Sequence, residues 1–160
     1  TPFAGEETKQ WLQSLNPQNA AQNSNEINLS PSGEQDHTAE AITEARKMSS
    51  EEEGLAKAVT FLQHQIRTSG SGKTAFLLRL ELVRMLVSAK KEKTAIPHLD
   101  MIWEDFAKFR IDAWEPELAL NGLKNVYKVF KKQSDEKYKQ KAEAVFNMIA
   151  SISTVDAMNL

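Results

Sequence analysis

The strongest candidate for chemistry in this 160-residue sequence is Ser69-Gly70-Ser71-Gly72-Lys73-Thr74, because Gly72-Lys73-Thr74 ends like a phosphate-binding loop. In such a loop, glycines let backbone N–H groups cradle the phosphates, the lysine meets their charge and the hydroxyl holds magnesium. The full pattern needs a glycine five residues before Gly72, where Arg67 stands. It also needs a buried strand leading in and an acidic strand downstream, whereas the residues on both sides have helical spacing. The segment reads as a glycine-rich turn between two helices, with Lys73 and Thr74 opening the second.

The other reactive residue types form no constellation. His37, His64 and His98 are dispersed, and the nearest ligand-like pair, His98 with Asp100, cannot share a helix face. No metal site and no cofactor are expected. Glu104 and Asp105 read as an exposed stripe opposite Trp103 and Phe106. Ser49-Ser50 followed by Glu51-Glu52-Glu53 reads as helix capping with acids in the first turn. Lys131, Lys132, Lys137, Lys139 and Lys141 make a basic corner with Tyr138 as its one interleaved aromatic. The patch is short and lacks arginine, so it reads as a solvated helix–helix corner and not a nucleic-acid face. No residue set argues for a nucleophile or a general base, and the chain is not expected to be an enzyme.

Composition agrees. The formal net charge of −2 gives no basic field for nucleic acid or anionic lipid. The absence of cysteine excludes disulfides and thiolate chemistry. No apolar run approaches membrane-spanning length, so no membrane insertion is expected. The sequence starts at Thr1 without methionine or a signal pattern, and reads as the C-terminal piece of something longer.

Residues 1–35 are rich in Asn, Gln, Ser, Pro and Glu, with turn text at Asn16-Pro17-Gln18-Asn19 and Ser30-Pro31-Ser32-Gly33. Such a stretch buries too little to offset its ordering entropy and is expected to be a largely disordered linker. A short helix over 6–15, carrying Trp11, Leu12 and Leu15, is its one candidate element. Residues 36–160 are expected to form a helical domain. A weak stripe of Ala41, Ile42 and Ala45 comes first, over about 37–48. Leu55, Val59, Leu62 and Ile66 then repeat at helical spacing, as do Phe76, Leu80, Val83 and Val87. Leu77, Leu82 and Leu86 make that second helix apolar on another side, which marks a helix covered by several neighbours. Ile96, Leu99, Trp103 and Phe106 follow, with Pro97 placed in a first turn. Ala119, Leu123, Val126 and Phe130, then Ala142, Val145, Ile149 and Ile152, complete the series. Nothing alternates with period two. The fold class is all-α, a bundle of about six antiparallel helices with short connections.

The most informative junction is Arg110 to Leu120. Pro116 suits the first turn of a new helix, and Glu115 and Glu117 put negative charge at its positive end. Trp114 is placed to fold back as a hydrophobic staple, inside the core.

Three of these segments together resemble the TssA-like proteins of the bacterial type VI secretion system, also called the ImpA or VasJ group. Phe76-Leu77-Leu78-Arg79-Leu80-Glu81-Leu82-Val83-Arg84-Met85-Leu86 resembles that group's Arg-Phe-Leu-x-Arg-Leu-x-Leu-Ala-Arg-Leu-Leu helix. Ala95-Ile96-Pro97-His98-Leu99 is similar to its Ala-x-Pro-x-Leu helix start, and Trp114-Glu115-Pro116-Glu117-Leu118-Ala119-Leu120 to its Trp-Glu-Pro-x-Leu-Ala-Leu signature. The resemblance runs over about Thr38 to Leu160, the C-terminal domain, without the N-terminal ImpA-type region. The sequence departs from it at Asp156-Ala157, usually Asp-Pro, and at Thr74-Ala75, where a basic residue usually precedes the Phe-Leu helix.

The resemblance implies a non-enzymatic assembly protein of the bacterial cytoplasm, associated with the membrane-anchored secretion tail. Its copies would form a ring that primes or caps the contractile tail and contacts baseplate, inner tube and sheath. A six-fold ring of about twelve subunits would match a six-fold tail, with five-fold rings known in the group. Trp103, Phe106 and Phe109 are the candidates for self-association. Arg79 and Arg84, on an apolar helix, each want a carboxylate, and one of them is expected to tie that helix to Glu115 or Glu117. Two alternatives are a helical adaptor that binds a partner helix and a nucleotide-binding enzyme built on Gly72-Lys73-Thr74.

Overall fold

The computed structural model describes residues 32–160, and the expected short helix over 6–15 lies outside them. Apolar residues at helical spacing give six long helices and two short ones, with no strand among the described residues. The elements are α1 (Ser32–Ser50), α2 (Gly54–Thr68), α3 (Gly72–Ser88), α4 (Glu92–Phe109), α5 (Ile111–Trp114), α6 (Pro116–Phe130), α7 (Glu136–Ile152) and α8 (Thr154–Met158). The all-α bundle of the sequence reading is what forms. Helix α1 begins four residues before the expected boundary, taking Ser32 and Gly33 from the stretch read as linker.

Helix α3 is the centre. It packs against α1, α2, α4 and α6, while α6 carries α7, and α7 carries α8. Both of its apolar sides are covered: Phe76, Leu78, Leu80, Leu82, Val83, Met85 and Leu86 are buried, while Leu77 and Val87 of the expected stripes are only half-buried. Ser71 caps it, accepting from the Thr74 N–H. The helix stops without a glycine: Lys90 takes a left-handed φ of 58°, and Lys90 and Lys91 N–H groups return to the Val87 and Leu86 carbonyls.

Two local expectations are corrected. Ser49 and Ser50 do not cap α2; they end α1, their hydroxyls donating to the Arg46 and Lys47 carbonyls. Glu51–Glu53 form the turn instead, with Glu53 left-handed. The turn is so tight that a Cβ on Gly54 would lie 1.7 Å from the Met48 carbonyl oxygen, so only glycine fits. Pro97 is not in a first turn. Because α4 starts at Glu92, Pro97 sits in the second turn, where it leaves the carbonyl of exposed Lys93 without its helical donor. The last stripe ends with α7 at Ile152 as expected, and Ser153, extended, caps the further short helix α8.

Candidate functional site

Gly72-Lys73-Thr74 opens α3 directly after α2, across a turn in which the Ser69 hydroxyl donates to the Ser71 carbonyl at 2.9 Å. No described glycine has a positive φ, so the turn lacks the alternating backbone that aims N–H groups at a phosphate. Lys73 reaches across to Glu115 at the start of α6, forming an ion pair, and its ammonium lies 5.9 Å from the Trp114 ring. The lysine of the apparent phosphate motif is a tie between α3 and the junction.

That tie is the one the sequence reading assigned to an arginine. Arg79 instead pairs with Asp105 of α4 at 2.9 Å, both largely buried. Asp105 is therefore no member of an exposed stripe. Burial pushes its carboxyl above the usual range, and the Arg79 guanidinium pulls against that shift. Glu81, buried on the same helix, accepts two hydrogen bonds from Arg46 of α1 at 2.7 and 2.8 Å. Arg84, half-exposed, lies 3.7 Å from Glu81. The central helix is thus pinned to three neighbours by three pairs, each joining a buried or half-buried charge to its opposite.

The lysine corner is also occupied from within. Lys132 pairs with Glu92 at 2.7 Å, Lys139 with Glu136 at 3.6 Å, and Lys141 with Asp100 at 2.5 Å. Lys131 donates to the Leu160 carbonyl. Among the described residues no group of His, Asp or Glu is arranged to hold a metal. His98 is half-buried with its Nδ1 unpartnered. Burial, and then the Arg79 charge, lower its pKa and favour the neutral ring.

The aromatic residues divide sharply. Phe106 is 1% exposed and packs edge-on to Phe76, ring centroids 5.6 Å apart at 87°. It is core and is removed from the self-association candidates. The space for it comes from Gly122 on α6, where a Cβ would lie 3.0 Å from Phe106 and 3.3 Å from Phe76. Trp103 is half-buried against the same core. Phe109, by contrast, is 44% exposed and Trp114 is 49% exposed. The staple expectation for Trp114 is overturned. Arg110 turns left-handed at φ 48°, and one turn of helix, α5, follows before Pro116. That extra turn swings the indole outward, where its Nε1 donates to the Phe109 carbonyl at 2.8 Å. Pro116 opens α6 as expected.

Between these outward rings lies an apolar pocket of about 250 Å³, floored by Phe76, Ile111 and Leu118 and closed by Gly72 and Lys73. Sequence reading named Phe109 and Trp114 but missed Ile111, Leu118 and the role of Lys73. The signal for Ile111 was available, as a lone apolar residue directly after the α4 stop. A second apolar surface was not read at all: Phe146 on α7 and Val155 and Met158 on α8 are exposed at 36%, 69% and 81%.

The chain matches the family model described as "Type VI secretion, EvfE, EvfF, ImpA, BimE, VC_A0119, VasJ" over residues 1–126. The match includes the α3 helix, Pro97 and the Trp114 junction, and reaches further toward the N-terminus than the resemblance read from the motifs. It stops within α6, before the segment where Asp156-Ala157 departs from the group's Asp-Pro. No curated protein and no solved structure matches.

Proposed function

We propose, since this chain belongs to the type VI secretion family of EvfE, ImpA and VasJ, that it is a non-enzymatic scaffold whose copies assemble into a closed ring on the secretion tail. The family makes it a component of that secretion system. The ring, its contacts with baseplate, tube and sheath, and its place on the cytoplasmic side of the tail are the reading advanced here. A six-fold ring of about twelve copies suits a six-fold tail, because a shared axis lets identical contacts repeat.

One observation carries the self-association. Phe109 and Trp114, two large aromatic side chains, stand nearly half-exposed around an apolar pocket that no part of residues 32–160 covers. Aromatic residues around a hollow are what interface centres are made from. Lys73, Arg79 and Lys141 each have a carboxylate partner within the subunit, which supports a structural role for these charges. No helix among the described residues is long and apolar enough to cross a membrane.

Light scattering of the chain in solution tests this. A closed assembly of about ten or more chains is the expected result. A monomer at all concentrations would contradict the ring and favour a helical adaptor. A rise in melting temperature with ATP and magnesium would favour a nucleotide site at Gly72-Lys73-Thr74.

A further inference from the structure

An acidic turn and a lysine-rimmed hollow lie at one end of the bundle, on separate flanks. Helices α1 and α3 run in the same direction, since the Thr38 and Thr74 hydroxyls are 3.3 Å apart and Arg46 bonds Glu81. The α1–α2 turn is therefore at the end where α3 stops. Lys132, just past α6, pairs with Glu92, where α4 starts after α3. The α6–α7 turn is thus at that end too, while the Phe109–Trp114 hollow, lined by Gly72 and Lys73, is at the other. Helices α1 and α2 pack on α3, and α7 packs on α6, which leaves α3 and α4 between the two flanks.

The flanks differ in charge. Residues 32–68 hold seven acidic and four basic residues, net −3, and residues 116–160 hold five acidic and seven basic, net +2. On the basic flank, a hollow of about 370 Å³ lies between Tyr127, Lys131, Lys139, Ala142, Glu143 and Phe146. Lys131 donates to the Leu160 carbonyl and lies 4.8 Å from the Tyr127 ring, with no side-chain carboxylate partner among the described residues. Lys139 pairs only with exposed Glu136 on its own helix, at 3.6 Å. Exposed Lys128, one turn before Lys131, forms no ion pair among the described residues. Glu143 is the one acid in the lining. On the acidic flank, Glu51, Glu52 and Glu53 are all exposed, and Lys47 and Lys57, four residues to either side, pair with none of them. The turn is held in shape by the Gly54 N–H on the Glu51 carbonyl at 2.9 Å and by left-handed Glu53, so its carboxylates are presented before any partner arrives.

We infer that the Glu51–Glu53 turn of one copy seats on the Lys131–Lys139 hollow of a second copy, joining the chains flank to flank. This rests on the self-association proposed above and adds a contact at the opposite end of the bundle from the Phe109–Trp114 hollow. Turn against turn would set glutamates face to face, and hollow against hollow would set lysines face to face. Turn against hollow sets glutamate on lysine. Because both surfaces lie at one end, the contact repeats with every copy facing the same way, as a ring requires. An exposed charged contact of this kind decides which flank meets which more than it supplies affinity.

Two charge-reversed variants of the chain test the contact, Glu51→Lys/Glu52→Lys on the turn and Lys131→Glu/Lys139→Glu at the hollow. Each alone sets like charges face to face and is expected to lose the large assembly of the wild type in sedimentation at low salt. Mixed in equal amounts, they are expected to recover the wild-type mass with both chains in equal number, because every reversed turn then meets a reversed hollow. Recovery also shows that both variants are folded. A cross-link gives a second reading, since the chain has no cysteine of its own. Under oxidation, Glu52→Cys mixed with Lys139→Cys is expected to give the mixed disulfide dimer in large excess over either homodimer. Reversed variants that each keep the wild-type mass, or a mixture that recovers nothing together with a missing mixed disulfide, would overturn this contact and leave self-association standing. A wild-type chain that is monomeric would overturn both.

Discussion

Phe106 and Phe109 stand three residues apart on one helix, and the regions they anchor are opposites. Around Phe106, an edge-on Phe76 and a bare Gly122 close the space completely. Around Phe109, the helix has just ended, Arg110 has reversed the chain and α5 has turned Trp114 outward. The same residue types produce a sealed core in one place and an open hollow in the other. What separates them is the facing helix. A glycine opposite an aromatic invites it in, and a helix stop beside one leaves it uncovered.

The sharpest way to break that contrast is to delete the two rings separately. Phe106→Ala should cost ~3–5 kcal/mol of stability by chemical denaturation, as expected for a fully buried aromatic. A loss below ~1 kcal/mol, the surface range, would mean Phe106 is not sealed. Gly122→Ala comes next. The added methyl crowds both rings, at a cost of about 1–3 kcal/mol for overpacking, offset by about 1 kcal/mol of helix propensity. A net loss of up to ~2 kcal/mol is expected, and a more stable variant would show that the aromatic pair has slack. Trp114→Ala should be milder, near 1 kcal/mol, because half the ring is already in water and one hydrogen bond is lost.

The smallest effect is a pH slope. His98 has its pKa lowered in the folded state, so the unfolded chain binds its proton first as pH falls. Its contribution is full above the ordinary histidine value of about 6.5 and declines as pH drops from there toward the lower folded value. Denaturation between pH 7.5 and 5 should show this decline in the wild type and a flatter slope in His98→Gln. An unchanged slope would mean the ring protonates freely in place.

Much of this contrast was legible in the sequence, and the missing parts have definite causes. The stripes through Leu62, Leu82, Leu99, Val126 and Ile149 mark buried faces correctly, because side-chain period follows directly from helix geometry. Pro116 marks the start of α6 for a local reason, its preset φ. The burial of Phe106 depends on Gly122, sixteen positions later, and a helical glycine carries no label saying which ring it admits. Helix stops at Lys90 and Arg110 use left-handed non-glycine residues, so the usual glycine signal is absent. Ser49-Ser50 with three glutamates has the composition of a cap but lies at the end of α1, where serine hydroxyls also bond carbonyls. Arg79 was rightly read as needing a carboxylate. That its partner is Asp105, and that Lys73 takes Glu115, depends on how α3 packs between α4 and α6, which spacing within one helix does not encode.

The measurement that bears most directly on the uncovered junction is sedimentation velocity of Trp114→Ala beside the wild type at equal concentration, with helicity and melting recorded for both. The expected result is a large assembly for the wild type and mostly monomer for the variant, with helicity unchanged and melting only slightly lower. Equal sedimentation of the two would place the contact between copies elsewhere, and would return Trp114 to the ordinary surface.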